Sequence, residues 1–385
     1  MPRDRVMRVL LVAAAIAAGW SGWSGVVMAL PLALAFPVLW SMANSRKNAA
    51  MISAAYFLAA SRGLPLGVAN FYGSGMAPGL LLWLVASSGF VLVHTVLWTA
   101  KPALQKPFRY LLACLLMAVP PFGILGWAHP ITAAGALFPG WGWAGLFALA
   151  TGLAVLATRY RVVAVIALSG LWIWSAASWA PPLAPAGWTG VDLAYGSSLG
   201  RDTSLDRQQD LLARVQVDSP DPGRVFVLPE SAVGFWTPTV ARFWKKALKG
   251  SGEMIVSGAS LVAADGYDNV LVALTQDGSK VVYRERMPVP GAMWQPWLAW
   301  MGESGGARAH FFANPVVIIR GARTAPLICY EQLIVWPILQ SMAHEPEVII
   351  AVGNGWWTAG TAIVGIQQAS AVAWARLFGK QLVMS

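Results

Sequence analysis

The stretch TAPLICYEQ, residues 324–332, decides how the second half of this chain is read. Its apolar run reads as a strand buried on both faces. The run closes on the thiol of Cys329, and Tyr330-Glu331 open a helix predicted from about 331. In open α/β sheets, sites gather at the carboxyl ends of strands. A cysteine at a strand-to-helix junction feels the positive end of the helix dipole, which favours thiolate. The next backbone N–H can help to hold an oxyanion. A lone cysteine at a buried strand end is also an ordinary packing residue, so its surroundings have to decide.

Working outward, two other strands end on polar residues. RVFVLP (224–229) is followed by Glu230, and VIIAVG (348–353) by Asn354. A carboxylate beside a thiol can take its proton and return it to a leaving group. Glu230 can equally cap a helix or form a salt bridge. A cation would steady a tetrahedral intermediate, and the strand end Arg284-Glu285-Arg286 offers two, which read equally well as solvated edge charges.

The texture around these residues is that of a layered α/β domain. Strands are predicted at 191–196, 254–260, 269–275, 280–286, 315–320 and 347–354 besides those named. The turn Gln276-Asp277-Gly278 joins two of them. Helices are predicted at 203–216, 237–250 and about 361–378. The Pro-rich segment 181–189 is a joint, which puts domain boundaries at 1–180 and 190–385.

The first domain has a different composition. The chain of 385 residues is 57% hydrophobic and 11% charged, with a mean hydropathy of +0.57. That balance belongs to a membrane protein. Residues 1–180 carry eleven Lys or Arg and one acid, Asp4, whereas residues 181–385 carry sixteen of each sign. The net charge of +10 therefore lies in the first half. Apolar stretches at about 7–22, 25–42, 49–69, 77–99, 108–127, 132–157 and 162–180 predict seven membrane-spanning helices. Basic residues fall in every second loop: Arg3, Arg5 and Arg8; Arg46 and Lys47; Lys101, Lys106 and Arg109; Arg159 and Arg161. This is the positive-inside pattern, and it predicts a cytoplasmic N-terminus and an external globular domain. It also accounts for the basic pI, so no nucleic-acid partner is expected. Trp20, Trp23, Trp98, Trp127, Trp141, Trp143 and Trp179 stand near predicted helix ends, as interfacial anchors do. Within the helices His94 and Cys114 read as packing residues. The four histidines (His94, His129, His310, His344) and two distant cysteines have no ligand spacing, so no metal or cofactor is expected.

Four motifs in order, LPES (228–231), a basic strand running into MPVPG (287–291), LICYE (327–331) and GNGWW (353–357), resemble the nitrilase (carbon-nitrogen hydrolase) superfamily. With apolar helices in front, the chain looks most like the apolipoprotein N-acyltransferase branch, and among its relatives the conjugal-transfer TraB branch. The resemblance implies an αββα sandwich after the transmembrane bundle, and a Glu-Lys-Cys triad. The acid/base matches Glu230, the nucleophile Cys329, and a supporting glutamate Glu331, with Asn354 alongside. The family lysine sits seven residues before the glycine of Lys-x-x-Leu-Val-Pro-Phe-Gly-Glu. Counting back from Gly291 gives Arg284, with Lys280 as a less favoured stand-in, and the motif's last glutamate falls on Ala292. Arginine cannot give up its proton and places its donors differently. The family also has more sheet and a final helix beyond this point, so KQLVMS (380–385) reads as the start of a strand, with either the sequence truncated here or this branch shorter. The implied chemistry is acyl transfer or amide hydrolysis on a lipid or lipoprotein, or a scaffold role in the conjugation apparatus.

Overall fold

The computed structural model describes residues 2–101, 104–193, 204–216 and 223–385. The chain divides into two compact units: residues 1–182 with 333–336 and 357–379, and residues 183–332 with 337–356 and 380–385.

The first unit is helical. Its helices are α1 Pro2–Gly22, α2 Ala35–Met42, α3 Arg46–Ala60, α4 Leu64–Tyr72, α5 Met76–Leu97, α6 Gln105–Ala118, α7 Ala134–Leu137, α8 Gly142–Leu156 and α9 Arg161–Ala177. The expected seven spans are not seven long helices. By length and composition α1 (from Asp4) and α5 are able to cross a membrane, and α3 with α4 makes a third only as a pair bent by 49°. Of the remaining apolar stretches, 162–180 is one continuous helix of 17 residues, α9, and the other three are interrupted. The 25–42 stretch is a 3-10 helix, Val27–Leu34 with Pro31 inside it, continued by α2. The 108–127 stretch leaves α-helix at Ala118. The 132–157 stretch divides into a 3-10 turn, α7 and α8. A helix of 15 residues such as α8 rises only about 22 Å, short of a hydrocarbon core about 30 Å thick. Apolar composition was legible, and Arg62 and Pro65 marked the break between α3 and α4 in the sequence, but the other points where the backbone breaks were not legible.

The tryptophans divide as well. Trp20, Trp141, Trp143 and Trp179 are exposed, whereas Trp23, Trp98 and Trp127 are buried. Trp23 Nε1 donates to Tyr56 Oη (2.9 Å) inside an aromatic cluster where Phe36 stacks on Tyr56. His94 and Cys114 are also buried, and His94 Nδ1 bonds the Phe90 carbonyl at 2.8 Å.

The second unit holds two sheets. One has the order β1 Trp188–Gly190, β2 Val225–Val227, β3 Met254–Ala263, β4 Gly266–Thr275, β5 Gly278–Arg284. The other has β6 Val317–Ile319, β7 Ala322–Ile328, β8 Val348–Val352, β9 Gln381–Met384. The helices α10 Leu205–Gln216, α11 Pro238–Ala247, α12 Trp297–Trp300 and α13 Val335–Met342 come next in chain order. Period-two alternation builds the layers. On β2, Val225 and Val227 enter a core shared with Ile328, Val348, Ile350, Val352 and Val383 of the other sheet. Phe226 instead joins a second core with Leu211 and Val215 of α10 and Val240 and Trp244 of α11.

Most strands stand where the sequence placed them, including β9 from KQLVMS. The first does not: it lies at Trp188–Gly190, residues 191–193 continue without strand structure, and 194–196 lie outside the described residues.

The boundary expected near 180 falls at Pro182, but residues 333–336 and 357–379 belong to the first unit rather than to one domain over 190–385. They include α14, Ile363–Phe378. This helix packs on α7 at Gly135, where an added Cβ would fall on the Ala373 carbonyl.

Candidate active site

The site lies at the carboxyl ends of β2 and β7. Glu230 comes after β2 in the loop Leu228–Gly234, which lies across β3. Gly258 on β3 makes that approach possible, because an added Cβ would sit 2.5 Å from Glu230 Cα and 2.6 Å from the Pro229 oxygen. The loop is pinned there by Gly258 N donating to Pro229 O (3.1 Å) and Val233 N to Gly258 O (3.2 Å).

Cys329 directly follows β7 and is buried. Its φ is +45°, a left-handed backbone that costs a non-glycine residue about 1–3 kcal/mol and is held only where the surroundings impose it. The Cys329 thiol neighbours the Glu230 carboxyl and favours its charged form. Burial pushes the Glu230 carboxyl well above the ordinary carboxylate range, and the hydrogen bond from Asn269 and the Cys329 thiol oppose the rise.

The backbone beyond Cys329 is not the helix expected there. Residues Cys329–Gln332 form a single 3-10 turn, and α-helix resumes only at Val335. A helix dipole is therefore not what acts on the thiol. Glu331 closes the turn instead. Its Oε2 accepts from Ile328 N (2.8 Å), its Oε1 from Arg286 N (2.8 Å), and Tyr283 Oη donates to both at 2.7 and 2.8 Å. Gln332 Nε2 ties the same turn to the Val352 carbonyl at 2.9 Å. Asn354 is half-buried and lies two residues beyond the end of β8, the strand paired in parallel with β7.

Arg284 does not join the site. It is partly exposed, and its Nε donates to the buried Asp268 carboxylate at 2.9 Å. A β-bulge accounts for its direction. Leu271 pairs with Tyr283 but Val272 pairs with Val281, so Val282 is an extra residue on β5. A bulge turns the side chains beyond it over. Past it Tyr283 faces the core between the sheets, Arg284 faces away, and the fully buried Glu285 faces inward again. Lys280, before the bulge, is exposed. Asn269 Nδ2 donates to Glu230 Oε1 (2.7 Å) and to Glu285 Oε2 (2.8 Å), which brings Glu285 beside the dyad. Counting the lysine motif from its Val-Pro pair, matched to Val289-Pro290, also lands on Glu285. On that count an acid stands at the position of the motif's lysine. Burial, then the nearby Glu230 and Glu331, push the Glu285 carboxyl far up.

Arg286 is the cation of this region, and it is already engaged. Fully buried, it lies 3.4 Å from Glu331 and donates to Tyr283 Oη, Gln340 Oε1, Ser341 Oγ and the Pro326 and Pro337 carbonyls.

On the opposite face of β4, Asp268 accepts from Arg308 (2.7 Å), His310 (2.8 Å) and Arg284. Burial raises its pKa, but these bonds win and hold it at about 2, below the ordinary 3.8. A depressed carboxylate stabilises the fold above its unfolded pKa, and that contribution fades as pH falls from about 4 to about 2. Asp268→Asn is expected to lower the thermal midpoint at neutral pH. The gap to wild type should close across that acid window; a gap independent of pH would contradict the assignment.

The carbon-nitrogen hydrolase family model matches residues 58–376. The chain belongs to this family, the nitrilase superfamily. Within it, the chain stands with the conjugal-transfer TraB proteins. It is 62% identical over 385 residues to the probable conjugal transfer protein TraB of Sinorhizobium fredii, covering 100% of this chain and 99% of that one. It is 55% identical to the conjugal transfer protein TraB of Agrobacterium fabrum, covering 100% and 93%. Among solved structures it is similar to Saccharomyces cerevisiae Nit3, a member of branch 10 of the nitrilase superfamily (16% identity, TM-score 0.30, 41% of this chain and 60% of that one). It is also similar to the Xanthomonas campestris CN-hydrolase superfamily protein XC1258 (13% identity, TM-score 0.31, 53% and 73%).

Proposed function

We propose that this protein acts in plasmid conjugal transfer as a membrane-held acyl-transfer or amidase enzyme with Cys329 as nucleophile. The observation that carries the reading is the placement of the Glu230 carboxyl beside the Cys329 thiol, after the ends of β2 and β7. Glu230 takes the thiol proton as sulfur attacks an ester or amide carbonyl, and returns it to the leaving group. An amine or water, deprotonated by the same carboxylate, then resolves the thioester. Backbone N–H groups at the 3-10 turn are the donors nearest the developing oxyanion.

The apolar first unit supports a place in a bacterial inner membrane, and the basic residues in alternate loops support a cytoplasmic N-terminus with the second unit on the outer face. A membrane lipid or lipoprotein is the substrate class that fits such an anchor. Incubation of the full chain with phospholipid vesicles is expected to yield an acyl adduct on Cys329 by mass spectrometry, absent from Cys329→Ala. Adducts that persist in Cys329→Ala would sink the proposal. Ammonia released from small amides without lipid would turn it toward an amidase.

A specific observation favours a second reading, a scaffold for the conjugation apparatus. Counted from Val289-Pro290, the family lysine's position falls on Glu285, and Arg284 is bonded to Asp268. If Cys329→Ala and Glu230→Gln both support plasmid transfer at the wild-type rate while a deletion does not, the role is structural.

A further inference from the structure

Two carboxyls, Glu230 and Glu285, are buried on one amide. The two hydrogens of Asn269 Nδ2 are spent on them, one each. Glu285 Oε1 and Asn269 Oδ1 have no partner among the described residues. The charged and titratable groups facing the pair are few. Glu331 stands on the 3-10 turn and Cys329 at its start. Tyr283 lies on β5, and Arg286 just after it is bonded to Glu331. Asp268, next to Asn269 on β4, faces the other way, toward Arg284 and Arg308. The inward guanidinium of Arg286 is therefore matched to Glu331, and among the described residues neither Glu230 nor Glu285 has an ion pair with a Lys, Arg or His; Asn269 is the partner of both. Two like charges on one NH2 in a dry interior are not both retained.

We propose that Glu230 and Glu285 work as one carboxyl pair holding a single proton. Glu285 is the positioning member that sets the ionisation of Glu230 and, through it, of the Cys329 thiol. The family's way of charging this slot, a lysine, is replaced by a stored proton. The pair titrates as a unit, so its two steps belong to neither residue alone. The monoanion leaves Glu230 able to accept from Cys329. Loss of the second proton places another negative charge beside the thiol and holds back thiolate. The proposal builds on the reading of Cys329 as a nucleophile, but its test needs no acyl substrate.

The full chain in lipid nanodiscs is alkylated with iodoacetamide across pH, and the Cys329 peptide is followed by mass spectrometry separately from Cys114. Glu285→Gln keeps the shape and an acceptor for Asn269 while removing the second ionisation. It is expected to move the midpoint of the Cys329 rate–pH curve down by about one unit, and Glu285→Lys further. Independently, the infrared spectrum of the wild type at neutral pH should contain the C=O stretch of a protonated carboxylic acid that Glu285→Gln lacks. A wild-type spectrum without that band, or midpoints unchanged in both variants, overturns the proposal. Absence of acyl adducts with a shifted midpoint would remove the acyl-transfer reading and leave the carboxyl pair standing.

Discussion

Replacing Arg286 by alanine is expected to cost about 3–5 kcal/mol, the scale for removing one partner of a buried ion pair. The guanidinium and Glu331 are both fully buried, 3.4 Å apart. Without Arg286, Glu331 keeps a charge with no cation and the Pro326 and Pro337 carbonyls lose donors. The change would register as a large fall in the thermal midpoint of the detergent-solubilised protein, or as loss of soluble material. Arg286→Lys should recover little, because an ammonium cannot reach Tyr283, Gln340, Ser341 and two carbonyls from one planar fork. A wild-type midpoint for Arg286→Ala would show that the network is not needed to hold the Cys329 turn.

The second large effect is expected at Gly258. Its substitution by alanine drives a methyl group into Glu230 Cα and the Pro229 oxygen, both backbone atoms of the loop that presents the acid. Overpacking of this kind costs about 1–3 kcal/mol. A misplacement of about 1 Å in a catalytic group costs on the order of 100-fold in rate. Gly258→Ala should therefore fold, with a modestly lower midpoint, and lose most of its Cys329 acyl adduct. Adduct formation at the wild-type rate in a folded Gly258→Ala would show that Glu230 is not the base.

The second unit was largely legible in the sequence because alternating apolar strands announce themselves. RVFVLP, MIVSGAS, NVLVALT, TAPLIC and EVIIAVGN all became strands, and the pairing of Glu230 with Cys329 came from their ends. Arg284 was misplaced for two physical reasons. Side-chain parity reverses at the bulge beside Val282, and a bulge has no reliable local signature when neither residue is glycine. Counting from Gly291 also ignored that Val289-Pro290 fixes the motif one residue away. Had Tyr283 been assigned to the core as the largest apolar residue of that strand, Glu285 would have come out inward by period two. Asn269 carried no signal of its own. The helix expected after Cys329 was a 3-10 turn because Glu331 caps the Ile328 and Arg286 amides rather than starting α-helix. In the first unit composition gave the class, but hydropathy does not report where helices bend, as between Ala60 and Leu64.

The passage of the chain between β8 and β9 bears on biosynthesis. Residues 357–379 leave one compact unit and complete the other before Lys380 returns to the sheet. At about 5–20 residues per second, the 175 residues from Pro182 to Trp357 (357 − 182) take roughly 10–35 s to emerge. During that interval helices α1 to α9, made first, wait without their last packing partner, with Gly135 uncovered. Neither piece produced by a cut after Pro182 is a whole unit: the front piece lacks α14, and the rear piece carries it as an orphan apolar helix. Residues 357–379 and then 380–385 add to the two units in turn, which makes this segment the latch on which each of them closes.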